Sequence, residues 1–390
     1  MILKNLGRYP REILTRHGVI RFERTVLKPS NRESARMLVD KYGVKSIAPL
    51  DEALDIEGLP FKATRGMMLE VARRAISSRS YEDAKMSFLK GDGIDISTDQ
   101  IKKITDYIGD LVFKDDCRRA EEAKELYAGK KQDRRKKRRQ KNDILYVETD
   151  GAMVNTRKVK DGSSWRENKL AIAFSSKDIE YWETKTGHSA HKILERDYVS
   201  LIGSVEDFKY HLLALAARNE CYVASDFVII SDGAKWIKGI REELFPNAVH
   251  ILDLCHLKEN VGKFAMYKFN NSPEYHAWAD KICEMLEEGK WKRVLKKIEE
   301  YKDKKTPPGV VNLYTYIYNN RDSIDYPLYR ERGYFVGSGA IESSNKTVMQ
   351  ERLKLSGMRW NVESAQGILS LRARSESGHW EEVEEIVKSI

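Results

Sequence analysis

The sequence predicts an α/β protein in which a mixed sheet carries a long helical insertion and follows an α-helical N-terminal domain. Two observations predict this fold class. Residues 143–255 contain short apolar runs that alternate with amphipathic stretches, and residues 256–335 return to helical patterning. The first three apolar runs precede any helix, and strand–helix alternation follows them. That order is typical of a mixed sheet.

The N-terminal third is predicted to contain a strand segment and then a helical domain. Residues 19–27 (VIRFERTVL) alternate apolar and charged residues, as a half-exposed strand does, so residues 1–61 are assigned possible β-strands. Residues 62–112 form the helical domain. Its first helix places apolar residues on one face: Met68, Val71, Ala72, Ala75 and Ile76.

The end of this domain resembles a helix-turn-helix. A short helix stops at the sequence GDGI, and Ser97 with Gln100 forms a capping box that starts the next helix. That second helix would offer four side chains to DNA: Asp99, Lys102, Lys103 and Thr105. An ordinary three-helix bundle is the alternative, because acidic residues lie on the supposed reading face.

The positive charge is concentrated in one tract. The chain of 390 residues has a formal charge of +9, and residues 130–141 (KKQDRRKKRRQK) hold nine Lys or Arg against one Asp. Such a tract binds polyanions by releasing their counterions, although a solvated linker within residues 113–142 is equally consistent with charge alone. The candidate DNA-binding side chains here are Lys130, Lys131, Arg134, Arg135, Lys136, Lys137, Arg138, Arg139 and Lys141.

The core is predicted from five apolar runs and the two helices between them. The strands are ILYVET, KLAIAFS, YVSLIG, FVIIS and VHILDL, and the helices are SVEDFKYHLLALAARNE and GAKWIKGIREELF. Residues 143–255 are the first part of this core, residues 256–335 the insertion, and residues 336–390 the final core helices.

Three carboxylates are the strongest candidates for chemistry. Asp150 and Asp232 each close a strand-like run and precede a glycine, and Glu342 opens a helix after GSG. If they converge, they form a cage of hard oxygen ligands for Mg²⁺ or Mn²⁺, as metal-assisted phosphodiester chemistry requires. Taken singly, Asp-Gly at a strand end is more often a plain turn.

Several sequence blocks resemble the DDE transposases with a ribonuclease-H-like catalytic core. These blocks are ETDGAMV, VIISDGAKWIKGIREELFPNAVHILDLCHLKE and GSGAIESSNKTVMQERLKLSGMRW, followed by SAQGILSLRAR. The chain is most similar to bacterial insertion-sequence transposases of the ISLre type, with the ISKra group nearby. The likeness covers about residues 60–375. No cysteine precedes Cys117, so we expect no zinc-binding module in the N-terminal segment.

The resemblance implies a DNA transposase whose triad is Asp150, Asp232 and Glu342. Two Mg²⁺ or Mn²⁺ ions would be held there, with Asp150 bridging them. DNA would be the partner, as element terminal repeats and target, and a homodimer or larger assembly on DNA is expected. Two other classes stay open: a nuclease of the same fold that does not join strands, and a non-enzymatic repressor.

Residues near the triad are assigned lesser roles. Ser338 is predicted to cap the helix of Glu342, and Lys346 either neutralises a DNA phosphate or pairs with Glu342. Cys255 is expected in the core and His256 in a hydrogen bond, with Asp253 as a substitute ligand ranked below Asp232. A zinc pair of His188 and His191 is weakly indicated.

Composition excludes a membrane-spanning or disulfide-rich protein. The sequence has no run of about eighteen apolar residues, and its four cysteines form no CxxC pair. A soluble, cytoplasmic protein is therefore expected, associated with the nucleoid when bound to DNA.

Overall fold

The computed structural model describes residues 1–130, 143–157, 164–183 and 189–390. The strands in chain order are β1 (Leu3–Thr15), β2 (Gly18–Pro29), β3 (Ile144–Asn155), β4 (Trp165–Ser175), β5 (Ile179–Glu183), β6 (Ser189–Ile193), β7 (Asp197–Ile202), β8 (Asp226–Ser231) and β9 (Val249–Leu252).

The helices in chain order are α1 (Arg32–Tyr42), α2 (Pro49–Ala53), α3 (Arg65–Ser77), α4 (Tyr81–Asp92), α5 (Thr98–Lys130), α6 (Val205–Arg218), α7 (Lys235–Leu244), α8 (Leu254–Lys268), α9 (Glu274–Glu287), α10 (Trp291–Lys297), α11 (Leu313–Asn319), α12 (Tyr326–Glu331), α13 (Gly339–Ser344), α14 (Glu351–Leu353), α15 (Val362–Glu376) and α16 (Trp380–Lys388). In the described part of the chain, no helix combines the length and the apolarity needed to cross a bilayer.

Contacts divide the chain into two compact units. The first comprises Met1–Val112 and His379–Ile390, and the second comprises Phe113–Gly378. Helix α5 contributes its N-terminal part to the first unit and the remainder to the second. The final helix α16 packs on α3 in the first unit, whereas the sequence assigned residues 336–390 as a whole to the core.

The first unit joins a long antiparallel hairpin to a group of helices. Strands β1 and β2 pair from Leu3 to Thr15, as the alternating pattern predicts for β2. The buried carboxylate of Asp51 in α2 fixes this hairpin, because Arg11 on β1 and Arg24 on β2 both pair with it. A buried carboxylate with two guanidinium partners is a satisfied charge.

The helical domain has the predicted apolar face and the predicted capping box. The five apolar residues assigned to the face of α3 are buried. At the start of α5, the backbone N–H of Gln100 donates to Oγ of Ser97 at 3.2 Å, and that of Ser97 donates to Oε1 of Gln100 at 3.2 Å.

One residue of the predicted DNA-reading face is placed differently. Thr105 is 1% exposed, and its hydroxyl donates to the carbonyl of Ile101 at 2.7 Å. It faces the core because it follows Ile101 by one helical turn and shares its apolar stripe. The prediction that Thr105 is offered to DNA is therefore wrong.

The second unit is built on a five-stranded mixed sheet of order β7-β4-β3-β8-β9. The first three strands of this sheet along the chain, β3, β4 and β7, pair antiparallel, and β8 and β9 join parallel to β3. Strand β3 is central, and its residues from Leu145 to Thr149 are all buried. Burial on both faces explains why this run is nearly continuous in apolar residues.

Helices connect the later strands of this sheet and follow its last strand. Helices α6 and α7 connect the strands and pack against the apolar cluster formed by β3, β4 and β8. Helices α8 to α12 then form the predicted insertion, which Thr306–Gly309 interrupts without helix. After it, α13 leads through a π-helical segment (Asn345–Gln350) into α14. Helix α15 packs on the edge strand β7.

Candidate active site

Asp150 lies inside strand β3, at the level where the strand leaves the core. It is half-buried and pairs with Leu170 on β4. The strand continues to Asn155, so Gly151 does not turn the chain as the sequence suggested. A Cβ at Gly151 would lie 2.4 Å from Oε1 of Glu167, the far end of an exposed and flexible side chain that would have to shift. Its N–H donates to Oδ1 of Asp150 at 2.8 Å.

Asp232 follows β8, the parallel neighbour of β3. The register pairs Glu148 with Ile230, so Asp150 and Asp232 each lie two residues further along adjacent strands. Here the glycine does turn the chain. Gly233 has φ of +85°, and a Cβ on it would lie 2.7 Å from Cδ1 of Leu252. Oδ1 of Asp232 accepts from the N–H of Ala234 at 2.9 Å.

The two aspartates influence each other electrostatically. Burial raises the pKa of Asp150, and the negative charge of Asp232 raises it further. The N–H of Gly151, the charge of His256 and the amide of Asn345 act in the opposite direction. Two carboxylates that share a partly buried site favour a bound cation or a proton.

The helix that carries Glu342 is fixed to β3 by a buried carboxylate. Glu342 lies in the first turn of α13 and is exposed. Glu148 is 1% exposed and accepts a 2.8 Å hydrogen bond from the N–H of Ile341. Burial raises the pKa of Glu148 to about 8, and the charges of Asp253 and Glu342 add to this. Glu148 therefore joins the central strand to the start of α13.

Asp253 anchors the segment before Glu342 to the end of β9. It is fully buried, and it accepts from the N–H of Ser338 at 2.9 Å and from the hydroxyl of Ser338 at 2.7 Å. It also accepts from the backbone N–H groups of Cys255 and His256, each at 3.1 Å, and from Nδ1 of His256. Burial opposes ionisation, but these donors outweigh it and lower the pKa of Asp253 to about 2.

Ser338 and His256 are both held by this carboxylate. Ser338 occupies the N-cap position of α13 but makes no side-chain capping bond. The predicted cap is wrong because its hydroxyl donates to Asp253 instead. The hydrogen bond to Asp253 raises the pKa of His256 to about 9, against the effect of burial, and the charges of Asp232 and Asp150 add to the increase. His256 is thus hydrogen-bonded, as predicted, and cationic at neutral pH.

Asn345 connects the glutamate helix to the first aspartate. It begins the π-helical segment, is 4% exposed, and its Nδ2 donates to Oδ2 of Asp150 at 2.7 Å. Arg372 of α15 supports this segment, since its Nε donates to the carbonyl of Val348 at 3.0 Å and its Nη2 to that of Thr347. Single π turns occur frequently at functional sites.

Among the described residues, the group of side chains close enough to share one metal ion contains Glu342 but neither Asp150 nor Asp232. The ligand atoms of Asp253, His256 and Glu342 lie within 4.8 Å of one another. Asp253 already accepts from five donors, which exceeds the lone-pair capacity of about four for a carboxylate, so it serves as an anchor rather than a ligand. Asp150 accepts two hydrogen bonds and keeps lone pairs available. Carboxylate oxygens of this kind suit Mg²⁺ and Mn²⁺.

Comparison with known proteins places the chain in a family. A family model described as "Uncharacterised protein family (UPF0236)" matches residues 7–389. The chain belongs to that family. No curated protein matches it in sequence. Among solved structures, it is similar to a chain of the Drosophila P element transposase strand transfer complex, with 9% identity, 87% of this chain and 95% of that chain covered, and a TM-score of 0.34.

The candidate DNA-binding residues of this UPF0236 chain are only partly described. Lys130 ends α5, and residues 131–141, which include every other basic side chain predicted in the tract, lie outside the described residues. Lys102 pairs with Asp106, and Lys103 pairs with Asp99 at 2.7 Å, each one helical turn away. Lys346 is exposed, and no carboxylate of the described residues lies within 4.0 Å of it, Glu342 included.

The weaker candidates have structural explanations where they are described. Cys255 is exposed, so its prediction as a core residue is wrong; it begins the solvent side of α8. His188 lies outside the described residues, and the ring of His191 packs 4.9 Å from that of Phe335. Arg352, which follows the π-helical segment, is 1% exposed and stacks on buried Trp360 at 4.8 Å.

Glu148 and Asn345 are the site residues that the sequence analysis missed. Glu148 precedes Asp150 by two positions in a strand, so strand periodicity puts both side chains on one face. Asn345 follows Glu342 by three positions in a helix, which also places both on one side. Both spacings are visible in the sequence, but they point to Glu148 and Asn345 only once Asp150 and Glu342 have been selected as candidates.

Proposed function

We propose that this chain is a DNA transposase that cleaves and joins DNA strands through Asp150, Asp232 and Glu342, with two Mg²⁺ or Mn²⁺ ions. The observation that carries the proposal is the hydrogen bond from Asn345 to Asp150. It links the glutamate helix directly to the central strand, while the charge of Asp232 acts on the same carboxylate. We therefore assign Glu342 to the same site as Asp150 and Asp232, as the resemblance to the DDE transposases implies.

We also propose that the core is ribonuclease-H-like. The support is the sheet itself. Three leading strands form an antiparallel meander, and two strands connected through helices extend it in parallel. That arrangement agrees with the mixed sheet predicted from the alternation of apolar runs, and the resemblance to the DDE transposases implies a core of the ribonuclease-H-like type. The acidic residues would then lie on its central strands and on a helix after the insertion.

The residues of the proposed site have two roles: some would bind the metal ions, and others hold those residues in position. Asp150, Asp232 and Glu342 would hold the ions, which when bound supply Lewis-acid activation of the attacking oxygen and charge neutralisation at the phosphate. Asn345 fixes the carboxylate of Asp150 by binding one of its oxygens. Glu148 and Asp253 fix the two ends of the segment that leads into Glu342. Cationic His256 offsets the negative charge of the aspartates.

DNA is the proposed partner, as element ends and as target. The basic tract at residues 130–141 precedes β3, the strand of Asp150, so a strand bound by the tract would be led toward the site. Exposed Lys346, on the helix of Glu342, is a second proposed phosphate contact. A homodimer or larger assembly on DNA is part of the proposal, because transposition joins two ends.

The test is cleavage and joining of DNA that carries the terminal repeats flanking the gene. Purified protein with Mg²⁺ or Mn²⁺ is expected to release 3′-hydroxyl ends and to join them to a second duplex. Asp150→Asn, Asp232→Asn and Glu342→Gln should each abolish both products. Glu331→Gln, which removes an exposed acid eleven positions before Glu342, is the matched control and should retain activity.

The outcomes separate the three function classes. Joined products that survive Asp232→Asn would refute the role of that carboxylate. Cleavage without any joined product would favour a nuclease. Metal-independent binding without cleavage, unchanged by all three substitutions, would favour a repressor.

A further inference from the structure

A basic pocket lies beside Asp232 in the second unit. It has a volume of 630 Å³ and is lined by the cations Lys235, Lys238 and Arg321 and by neutral polar side chains that include Asn312, Thr315 and Asn319. None of its lining residues is acidic. Two other pockets of the same unit are lined in part by Asp and Glu side chains. The lining of this pocket therefore selects for an anionic ligand.

The pocket is continuous with the proposed active site. Gly233, the residue after Asp232, forms part of its wall. Tyr316 of α11 forms another part, and its hydroxyl donates to the backbone carbonyl of Asp232 at 2.9 Å. A molecule bound in the pocket would thus contact Gly233, the direct sequence neighbour of Asp232.

The start of helix α7 adds positive potential to the pocket. This helix of ten residues begins at Lys235, and its N-cap residue Ala234 makes no side-chain capping bond. The N-terminal end of a helix carries a partial positive charge and free N–H groups. A Cβ at Gly233 would lie 3.1 Å from the amide of Asn320, so glycine allows the close approach of α7 to the insertion.

The cations of the pocket are not neutralised at short range. Within the described residues, neither Lys235 nor Lys238 has a carboxylate within 4.0 Å; Nζ of Lys238 lies 3.4 Å from the carbonyl of Asn319. Arg321 lies 3.9 Å from Asp322, whose side chain is 76% exposed, and stacks over Tyr318. An exposed pair at that distance contributes little.

The walls of the pocket are held in place before any ligand binds. His250 on β9 bridges Ser231 of β8 and Ser323, two residues after Arg321, with both contacts at 2.9 Å. The hydroxyl of Tyr326 donates to the carbonyl of Leu252 at 2.9 Å. These buried polar contacts fix the insertion to the sheet edge, so the wall of the pocket that carries Arg321 is in place before a ligand binds.

We propose that this pocket binds the phosphodiester backbone of the DNA strand that passes Asp232; this inference rests on the proposed function. Ammonium, guanidinium and amide donors match phosphate oxygens. The lining offers cations and amides to an anion and few apolar side chains to a base. Recognition through the backbone would be independent of sequence. Continuity with Asp232 favours a strand over a free phosphate or nucleotide.

The experiment measures binding of a fluorescein-labelled single-stranded oligonucleotide by anisotropy across a salt series, in EDTA. The pocket variant is Lys235→Gln/Lys238→Gln/Arg321→Gln. The control variant, Lys296→Gln/Lys297→Gln/Lys302→Gln, removes the same charge from exposed positions of the insertion. Both keep the basic tract at residues 130–141, so its contribution cancels.

The pocket variant is expected to lower the slope of log K against log salt by about 2, from three phosphate contacts at about 0.7 each. The control should keep the wild-type slope. A single exposed charge reversal, Lys235→Glu, should weaken binding in the same direction if the triple variant does not fold. Equal slopes for pocket and control variants, or a wild type that does not bind, would overturn the inference.

Two further arms separate this inference from its alternatives. In the first arm, millimolar inorganic phosphate or a mononucleotide competes with the oligonucleotide. If either one displaces it from the wild type, and the pocket variant loses affinity for that anion as much as for the oligonucleotide, the pocket is a free-anion site and strand binding is refuted. If wild-type protein binds as expected but never cleaves, the proposed function fails while the pocket stands. If it cleaves and the pocket variant binds like the control, only the pocket assignment fails.

Discussion

The side-chain amide of Asn345 donates a 2.7 Å hydrogen bond to Oδ2 of Asp150. The two residues are 195 positions apart in the sequence. Asn345 is the first residue of the π-helical segment, and Asp150 lies in the central strand. A buried amide bound to a carboxylate fixes the orientation of that carboxylate. Oδ1 of Asn345 has no hydrogen-bond partner among the described residues. The amide therefore serves Asp150 rather than a wider network.

Replacing Asn345 by Leu should reduce strand cleavage by about 10- to 100-fold, the usual effect of removing a residue that orients a metal ligand. Leucine keeps the volume but offers no donor, so Asp150 loses its support without a cavity. Cleavage rates and Mn²⁺ affinity by calorimetry are the measurements. Gln350→Ala, at an exposed position of the same segment, is the control. Unchanged Mn²⁺ affinity in Asn345→Leu would contradict the role.

The strands of the second unit could be predicted because buried strands appear in the sequence as short apolar runs. The runs ILYVET and FVIIS lie in β3 and β8, and a strand covered on both faces is rich in apolar residues, although β3 also buries Glu148 and Thr149. Strand β3 runs to Asn155, beyond the predicted end, because Gly151 remains paired with Lys169. A glycine after an apolar run indicates a turn, and the continuation of β3 becomes visible only from its pairing with β4.

The anchors of the site were less predictable because they depend on contacts across the chain. Asp253 was ranked as a substitute ligand, and its role depends on Ser338, 85 residues later. Ser338 has the sequence position of a helix cap, yet the nearby buried carboxylate is a stronger acceptor for its hydroxyl. Thr105 was assigned to the DNA-reading surface, although its spacing of one helical turn from Ile101 places it on the buried apolar stripe.

Asp253→Asn should destabilise the second unit by about 3 kcal/mol, because a buried charged acceptor with several donors is costly to break. Ser338→Ala removes one of those donors and should cost only about 1 kcal/mol. Chemical denaturation of both variants beside the wild type gives the two free energies. Equal costs would show that Asp253 is not the common anchor of Ser338, Cys255 and His256.

Arg372→Met should destabilise the π-helical segment by about 2 kcal/mol, since the carbonyls of Thr347 and Val348 would lose their buried donor. Methionine keeps the apolar stem of the side chain, so packing is largely retained. Hydrogen exchange should show faster opening of residues 345–350 together with slower DNA cleavage. Arg359→Met, at an exposed position, is the control and should alter neither measurement.

The pH dependence of stability should carry a contribution from His250. Burial, together with the positive charges of Arg241 and Lys238, lowers the pKa of His250 to about 4. The unfolded chain titrates this group near its ordinary value of about 6.5. Between these two pKa values the unfolded state binds more protons than the folded state. The contribution of neutral His250 to the free energy of unfolding is therefore complete above about pH 6.5 and is lost as pH falls toward 4.

His250→Gln should remove that pH dependence, which amounts to on the order of 3 kcal/mol across the window. Glutamine retains an amide that can reach a serine hydroxyl but does not titrate. Urea unfolding at pH 4.5, 5.5, 6.5 and 7.5 gives the difference between wild type and variant, in which all other titrating groups cancel. The variant is expected to be less stable at pH 7.5 and to lose less stability on acidification. Parallel curves for the two proteins would show that the pKa of His250 is the same in the folded and unfolded states, and that burial does not lower it.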